Sequence, residues 1–276
     1  MLKDVTFGQY YPGESLLHRT DARIKILILI EYIVLVLAAK SLLAVVISVC
    51  FALFTVLCSK IKFSVLLKSV RPLVFVLVFT GVINIFFATS DSAPLFELGF
   101  IKIYTEGIVK AIHMIVRLLL LVLGSGVLLS FTTQPLELTD AIERLLSPLK
   151  AIKVPVHEFA MMMSIALRFI PTLIEETNKI ISAQKARGAD FETGSIISRA
   201  KALLPVLIPL FVSAFRRAEE LADAMECRCY RGGKGRTRLK VSRTTASDWV
   251  FLALTTATAA GVFFANRFIV SGVFGL

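Results

Sequence analysis

Two short stretches carry the side chains with most to offer a partner. Residues 183–188 read "AQKARG" and residues 224–229 read "AMECRC". Each is a small residue, two spacers, a second small residue, an arginine and a third small residue. An arginine near a helix C-terminus gains from the helix dipole, and that accounts for either one taken alone. It does not account for the recurrence of Ala183, Ala186 and Gly188 around Arg187 and of Ala224, Cys227 and Cys229 around Arg228. Small side chains let a helix end enter a groove, where a planar guanidinium can hold a carboxylate with two hydrogen bonds.

Other chemistries fail on spacing. In "RGGKGRT", Gly233-Lys234 is followed by Gly235, and the position of the first phosphate-loop glycine holds Arg228. "HEFAM" opens like a zinc-protease helix, but Met161 stands where the second histidine is needed. His18 and His113 lack ligand spacing. Cys227 and Cys229 alone supply two ligands, so no metal site is expected. Cys50 and Cys58 lie in an apolar run, and four cysteines are too few for a disulfide framework. No nucleophile–base pair is visible, which argues against an enzyme, and no cofactor is expected.

The elements that must position the arginines are apolar. Of 276 residues, 56% are hydrophobic, and the mean hydropathy is +0.78. A soluble domain of this length needs less apolar surface, and here the excess is gathered into runs. These occupy Ile24–Ala39, Ser41–Cys58, Pro72–Ala88, Ile108–Phe131 and Ser247–Phe264. Each approaches the roughly 20 residues that cross a bilayer as a helix. The fold class is therefore all-α and polytopic, with about five transmembrane helices. The N-terminal segment is polar and turn-rich, unlike a signal peptide. It carries Lys3, Arg19, Arg23 and Lys25, and the second-to-third connection carries Lys60, Lys62, Lys68 and Arg71. The third-to-fourth loop is net acidic. The positive-inside rule then places the N-terminus in the cytoplasm and residues 89–107 outside. The net charge of +11 follows from the same rule, without nucleic acid as a partner.

Polar residues inside the spans are a functional default: Glu31, Asn84, and Lys110, His113 and Arg117 on one face of the fourth. An ion relay would want paired carboxylates, and only Glu31 is available. Helix pairing or snorkelling is the plainer use.

Residues 132–246 read as a cytoplasmic or interfacial helical module placed between 1–131, with four spans, and 247–276, with the last. The module begins with the amphipathic "PLELTDAIERLL". Two long helical stretches follow, 156–187 and 195–229, with Gly188 and Gly194 as stop signals. A sixth span over 196–215 is the rival reading; it would put Arg187 and Arg228 on opposite sides of the membrane. Ala214, Ala218 and Ala222 recur every four residues, as a close helix crossing requires. Arg216 and Arg217 stand at i+3 and i+4 spacing from Glu219 and Glu220. Pro171, Pro205 and Pro209 each remove a backbone donor and should bend their helices. Met161, Met162 and Met163 offer a pliable apolar surface to a partner. The run Arg228, Arg231, Lys234, Arg236, Arg238, Lys240 and Arg243 contains no acid and suits anionic lipid or an acidic protein surface.

With these residues in view, the chain resembles the transmembrane T component of energy-coupling factor (ECF) transporters, a class of ATP-binding-cassette importer. "FGQYYPGESLLHRTDARIK", "PLELTDAIERLLSPLK", "ALRFIPTL" and the two arginine stubs carry the resemblance, in order along nearly the whole chain. It implies a non-catalytic coupling subunit in the cell membrane. Its partners would be two cytosolic ABC-type ATPases and one small substrate-binding membrane protein. It also implies that Arg187 and Arg228, with their small flanking residues, dock one on each ATPase. The second stub departs from Ala-Arg-Gly, reading Cys-Arg-Cys, which puts flexibility after Arg228 in doubt; Gly232 and Gly233 follow a turn later. The cargo is expected to be a micronutrient, a vitamin by the N-terminal block. A component dedicated to cobalt or nickel is the alternative within the family. A self-sufficient secondary transporter built on Glu31 and Asn84 is the alternative outside it.

Overall fold

The computed structural model describes residues 10–87, 96–98, 101–191, 193, 195–233 and 244–268. Lys3, Gly194 and the basic residues from Lys234 to Arg243 fall outside this set. In chain order the elements are α1 (Leu16–Arg19), α2 (Ala22–Ala38), α3 (Leu42–Ser59), α4 (Phe63–Val70), α5 (Val74–Phe87), β1 (Phe96–Leu98), β2 (Ile101–Ile103) and α6 (Thr105–Ser125). They continue with α7 (Pro135–Leu145), α8 (Val156–Ala186), α9 (Ile196–Cys227) and α10 (Ala246–Phe268). The protein is an all-α, polytopic membrane protein, to which the third-to-fourth connection adds a small antiparallel ribbon, β1 against β2. The chain forms two compact units. Described residues within 10–134 and 244–268 make one, and 135–233 the other.

In the first unit α2 and α3 pack against α6 and α10, and α5 packs against α6. The core runs through Leu17, Ile28, Tyr32, Leu35, Leu128 and Val262. Among the described residues six helices are long and apolar enough to cross a membrane: α3, α4–α5 together, α6 with its extension, α8, α9 and α10. α2 has 17 residues and is about 26 Å long, a little short of the hydrocarbon core of about 30 Å. The third span starts earlier than its apolar run. Phe63 opens α4, a 3₁₀ turn at Arg71–Leu73 leads into α5, and Pro72 sits in that turn's first positions. Proline is tolerated there because no helical donor is lost. Lys68, expected in a loop, is therefore helical.

Each helix end in this unit must dispose of carbonyls that its own helix leaves unbonded, and side chains from distant parts of the sequence do so. Arg117 Nη2 donates to Ala39 O at 2.6 Å, and Asn266 Nδ2 donates to Ala38 O at 2.6 Å. Asn266 Oδ1 in turn accepts from the amides of Lys40 and Ser41, both at 3.1 Å. The far end of α6 winds into one π turn, Gly126–Ser130. Past it, Lys25 Nζ donates to Thr132 O at 2.8 Å and to Thr133 Oγ1 at 3.1 Å. Lys25 is only 1% exposed, so its charge is kept by these oxygens rather than by water. The N-terminal block is thereby a structural staple. Tyr11 N donates to Phe131 O, and His18 is held between Ser15 Oγ and Tyr11 O.

Tyr32 is fully buried and its hydroxyl donates to Leu120 O at 2.8 Å. It lies so close to α6 that a Cβ on Gly124 would fall 2.3 Å from its ring and hydroxyl. Gly124→Ala should therefore lower the unfolding midpoint in detergent, at a cost of about 1–3 kcal/mol for overpacking. Gly261→Ala, at a helical position with nothing within 4 Å, should hold or slightly raise the midpoint; equal midpoints for the two variants would contradict this packing.

Candidate functional site

The second unit is built from α7, a 3₁₀ segment (Ser147–Ile152), α8 and α9. Their bounds follow the expected helical stretches to within about two residues, the usual latitude of a helix end. α8 ends at Ala186 with Arg187 as C-cap, and α9 ends at Cys227 with Arg228 as C-cap. Both ends close in the same way. Gly188 N donates to Lys185 O and Ala189 N to Gln184 O, both at 3.0 Å. Cys229 N donates to Glu226 O at 2.8 Å and Tyr230 N to Met225 O at 3.0 Å. This pair of reversed bonds is the Schellman ending, which needs a left-handed residue just after the cap. Gly188 takes it at φ 86° and Cys229 at φ 55°.

The small residue after each arginine is thus a backbone requirement, and the cysteine of the second stub meets it with some strain. Because the helix ends satisfy their own carbonyls, neither arginine is needed as a cap. Ala183, Ala186, Arg187 and Gly188 are all exposed, as are Ala224, Cys227, Arg228 and Cys229. Beyond the second stub the chain turns at Gly232 (φ 79°). It then passes so near α8 that a Cβ on Gly233 would lie 2.7 Å from the His157 ring. His157 Nδ1 is itself 3.1 Å from Glu143 Oε1 on α7. Gly232 and Gly233 thus form a turn beside His157.

α8 and α9 run in opposite senses. Arg217 Nη2 meets Glu176 Oε2 at 2.8 Å in mid-helix, while Met161, Ile165 and Phe169 of α8 face Leu221 and Met225 of α9. Arg217, expected to pair along its own helix with Glu220, pairs across helices. Its face continues through Ser213, Leu221 and Met225, all half-buried, whereas Ala214, Ala218 and Ala222 are exposed. The alanine ladder is not the half-buried face of this crossing and remains open to a partner. Pro171, Pro205 and Pro209 lie inside helices that continue past them, and all three are exposed. Met161 is half-buried; Met162 and Met163 are exposed. On α9 Leu204, Leu207, Ile208, Phe211 and Phe215 add a broad exposed apolar face.

Between the first turns of α8 and the end of α9 lies a cleft of about 650 Å³. Its floor is Met161, Ile165, Phe169, Leu221 and Met225, and its rim carries Arg168, Arg228 and Arg231. The spans' polar residues, by contrast, are scattered among different partners. Thr256 Oγ1 lies 3.2 Å from both oxygens of Glu31, and Asn84 Nδ2 donates to Thr80 O within its own helix. His113 Nε2 lies 3.0 Å from Arg117 Nη2, both of them at the Ala39 carbonyl. Among the described residues no group of three His, Cys, Asp or Glu side chains is placed to hold a metal ion.

Residues 13–239 match the family model CbiQ, described as a cobalt transport protein. The chain belongs to this family. A relative from Clostridium kluyveri is 50% identical over 250 residues, covering 91% of this chain and 92% of its own. Another from Ruminiclostridium cellulolyticum is 51% identical over 255 residues, 92% of this chain and 94% of its own. A third, from Bacillus subtilis, is 43% identical over 264 residues, 96% and 99%. All three are energy-coupling factor transporter transmembrane proteins EcfT.

Arg168 and Asn266 are the residues that sequence reasoning missed. Arg168 was visible only as part of "ALRFIPTL"; nothing in its spacing places it beside Arg228, sixty residues on. If the left-handed cap is what the third small residue is for, Cys229→Gly should tighten the second ending by about 1 kcal/mol. Gly188→Val should loosen the first, where there is room for a side chain but the backbone is wrong for one. Amide hydrogen exchange at residues 188–189 and 229–230 should change about fivefold in opposite directions; no change would deny the cap its role.

Proposed function

We propose that this chain is the non-catalytic transmembrane coupling subunit of an ECF transporter, and that its two arginine-capped helices dock one each on two cytosolic ABC-type ATPases. The observation that carries the reading is that two helices end in the same self-satisfied turn, each leaving one exposed arginine with no ion pair among the described residues. The names of the relatives support it, since they belong to energy-coupling factor transporters. In this reading the N-terminus is cytoplasmic, and α8 and α9 lie along the inner face of the cell membrane rather than across it. Their mixed composition suits that position: on α9 Leu204, Ile208 and Phe211 are followed by Arg216, Glu219 and Glu220, charges that are costly inside lipid. A pair of antiparallel helices lying flat keeps both arginines on one side while holding them far apart, since each helix is about 47 Å long.

ATP binding draws the two ATPases together and shifts Arg187 relative to Arg228. The helices pass that motion to their exposed apolar face, where Met162, Met163 and the α9 face receive a small substrate-binding membrane protein. That partner tilts and releases its cargo inward; ATP hydrolysis belongs to the ATPases. The cargo is a micronutrient, and we take it to be a vitamin. Import of cobalt or nickel is the second reading, favoured by the description of the family model.

Removing one member of a buried charge pair costs about 3–5 kcal/mol. Arg187→Ala or Arg228→Ala should therefore weaken ATPase co-purification and substrate uptake, and the double substitution should abolish both. Undiminished ATPase binding and uptake in the double variant would refute the assignment.

A further inference from the structure

The two stubs share a backbone but not a surrounding. At the first, the residues joined by the outer reversed bond are Gln184 and Ala189; at the second they are Met225 and Tyr230. Met225 and Tyr230 both line the cleft between α8 and α9. Arg228 is consequently not a lone cation on a helix tip. It shares the rim with Arg168, from α8, and Arg231, from the segment past the cap, above the floor of Met161, Ile165 and Phe169. Among the described residues no acidic side chain lines the cleft, Glu158 lying outside it beside Gly232, and none of the three arginines forms an ion pair. Three guanidinium groups around one hollow repel one another, and an anion placed among them removes that cost. The volume exceeds what one carboxylate fills, and the apolar floor excludes a ligand that is only charged.

We infer that this cleft is the receptor for an acidic, apolar-anchored segment of the ATPase that docks at the second stub, with Arg168 and Arg231 as its further cationic contacts. The inference rests on the proposed function and adds the chemistry of one partner surface to it. The segment presents at least two carboxylates to the three guanidinium groups and a large apolar side chain to Met161, Phe169 and Leu221. The apolar floor supplies the hold, and the charges supply orientation and selectivity. The docks are therefore unequal. The ATPase at Arg228 is bound through a wide, salt-sensitive contact built from three arginines, so the helices distinguish the two positions.

The test uses the full complex, co-expressed and purified with its ATPases, and reads the number of ATPase copies per chain by native mass spectrometry as potassium chloride is raised. Arg168→Gln with Arg231→Gln should release one ATPase at roughly tenfold weaker affinity while the other stays bound. Both residues are exposed, so the fold should be untouched; a sharp gel-filtration peak checks this. A photo-crosslinking side chain at Ser164, which lines the cleft, should attach in otherwise unaltered protein to an acidic ATPase peptide. Retention of both ATPases by the double variant, where Arg228→Ala releases one, overturns this inference and leaves the proposed function standing. Crosslinking at Ser164 to phospholipid, or to the substrate-binding protein, also overturns it. A parent complex that carries no ATPase overturns the proposed function itself.

Discussion

A helix that stops inside an apolar medium leaves carbonyl oxygens that water cannot reach, and the architecture of this protein is organised by how those oxygens are served. In the first unit the donors come from far away in sequence. Arg117 and Asn266 serve the end of α2, and Lys25 serves the chain just past α6. Each such bond also fixes a pair of helices, so the requirement of one helix end becomes the tertiary structure of the bundle. α2 can be short because its end is finished by neighbours. In the second unit the same requirement is met locally, by a left-handed residue after the cap. The arginines that might have been spent as caps are then available.

That division accounts for polar residues which otherwise look functional. Lys25, Arg117 and Asn266 are charged or polar groups in apolar surroundings, and each is occupied with backbone oxygens. Glu31 rests against Thr256 on α10. Among the described residues Glu31, Arg117 and Asn266 are not joined across the bundle to a second carboxylate, as an ion path would require. Arg187 and Arg228, by contrast, stand exposed at the ends of α8 and α9.

Much of the fold was legible because its signals are local. Runs of apolar residues marked the helices, and the bounds of α8 and α9 were given by proline, glycine and the arginine stubs. The start of the third span was misplaced because Lys68 and Arg71 read as loop; both are on helical segments, where a lysine stem lies along apolar surface without burying its charge. The ribbon in the third-to-fourth connection gave no signal, since three residues per strand show no usable alternation. At the candidate site the two arginines and their small neighbours were visible, but the reason for the third small residue was not. It is a dihedral angle, which Gly188 suggests and Cys229 conceals. The cleft could not be read at all. It depends on which face of α9 turns towards α8, and that face runs through Ser213, Arg217 and Leu221, which carry no spacing signal of their own.

The bond between Arg217 and Glu176 has one more property. Glu176 stands eleven residues before Arg187, and Arg217 eleven residues before Arg228, about 16 Å of helix in each case. The pair therefore marks a fulcrum with arms of equal length, like the pin of a pair of scissors. If the proposed motion turns about this bond, the two arginine tips sweep arcs of the same radius.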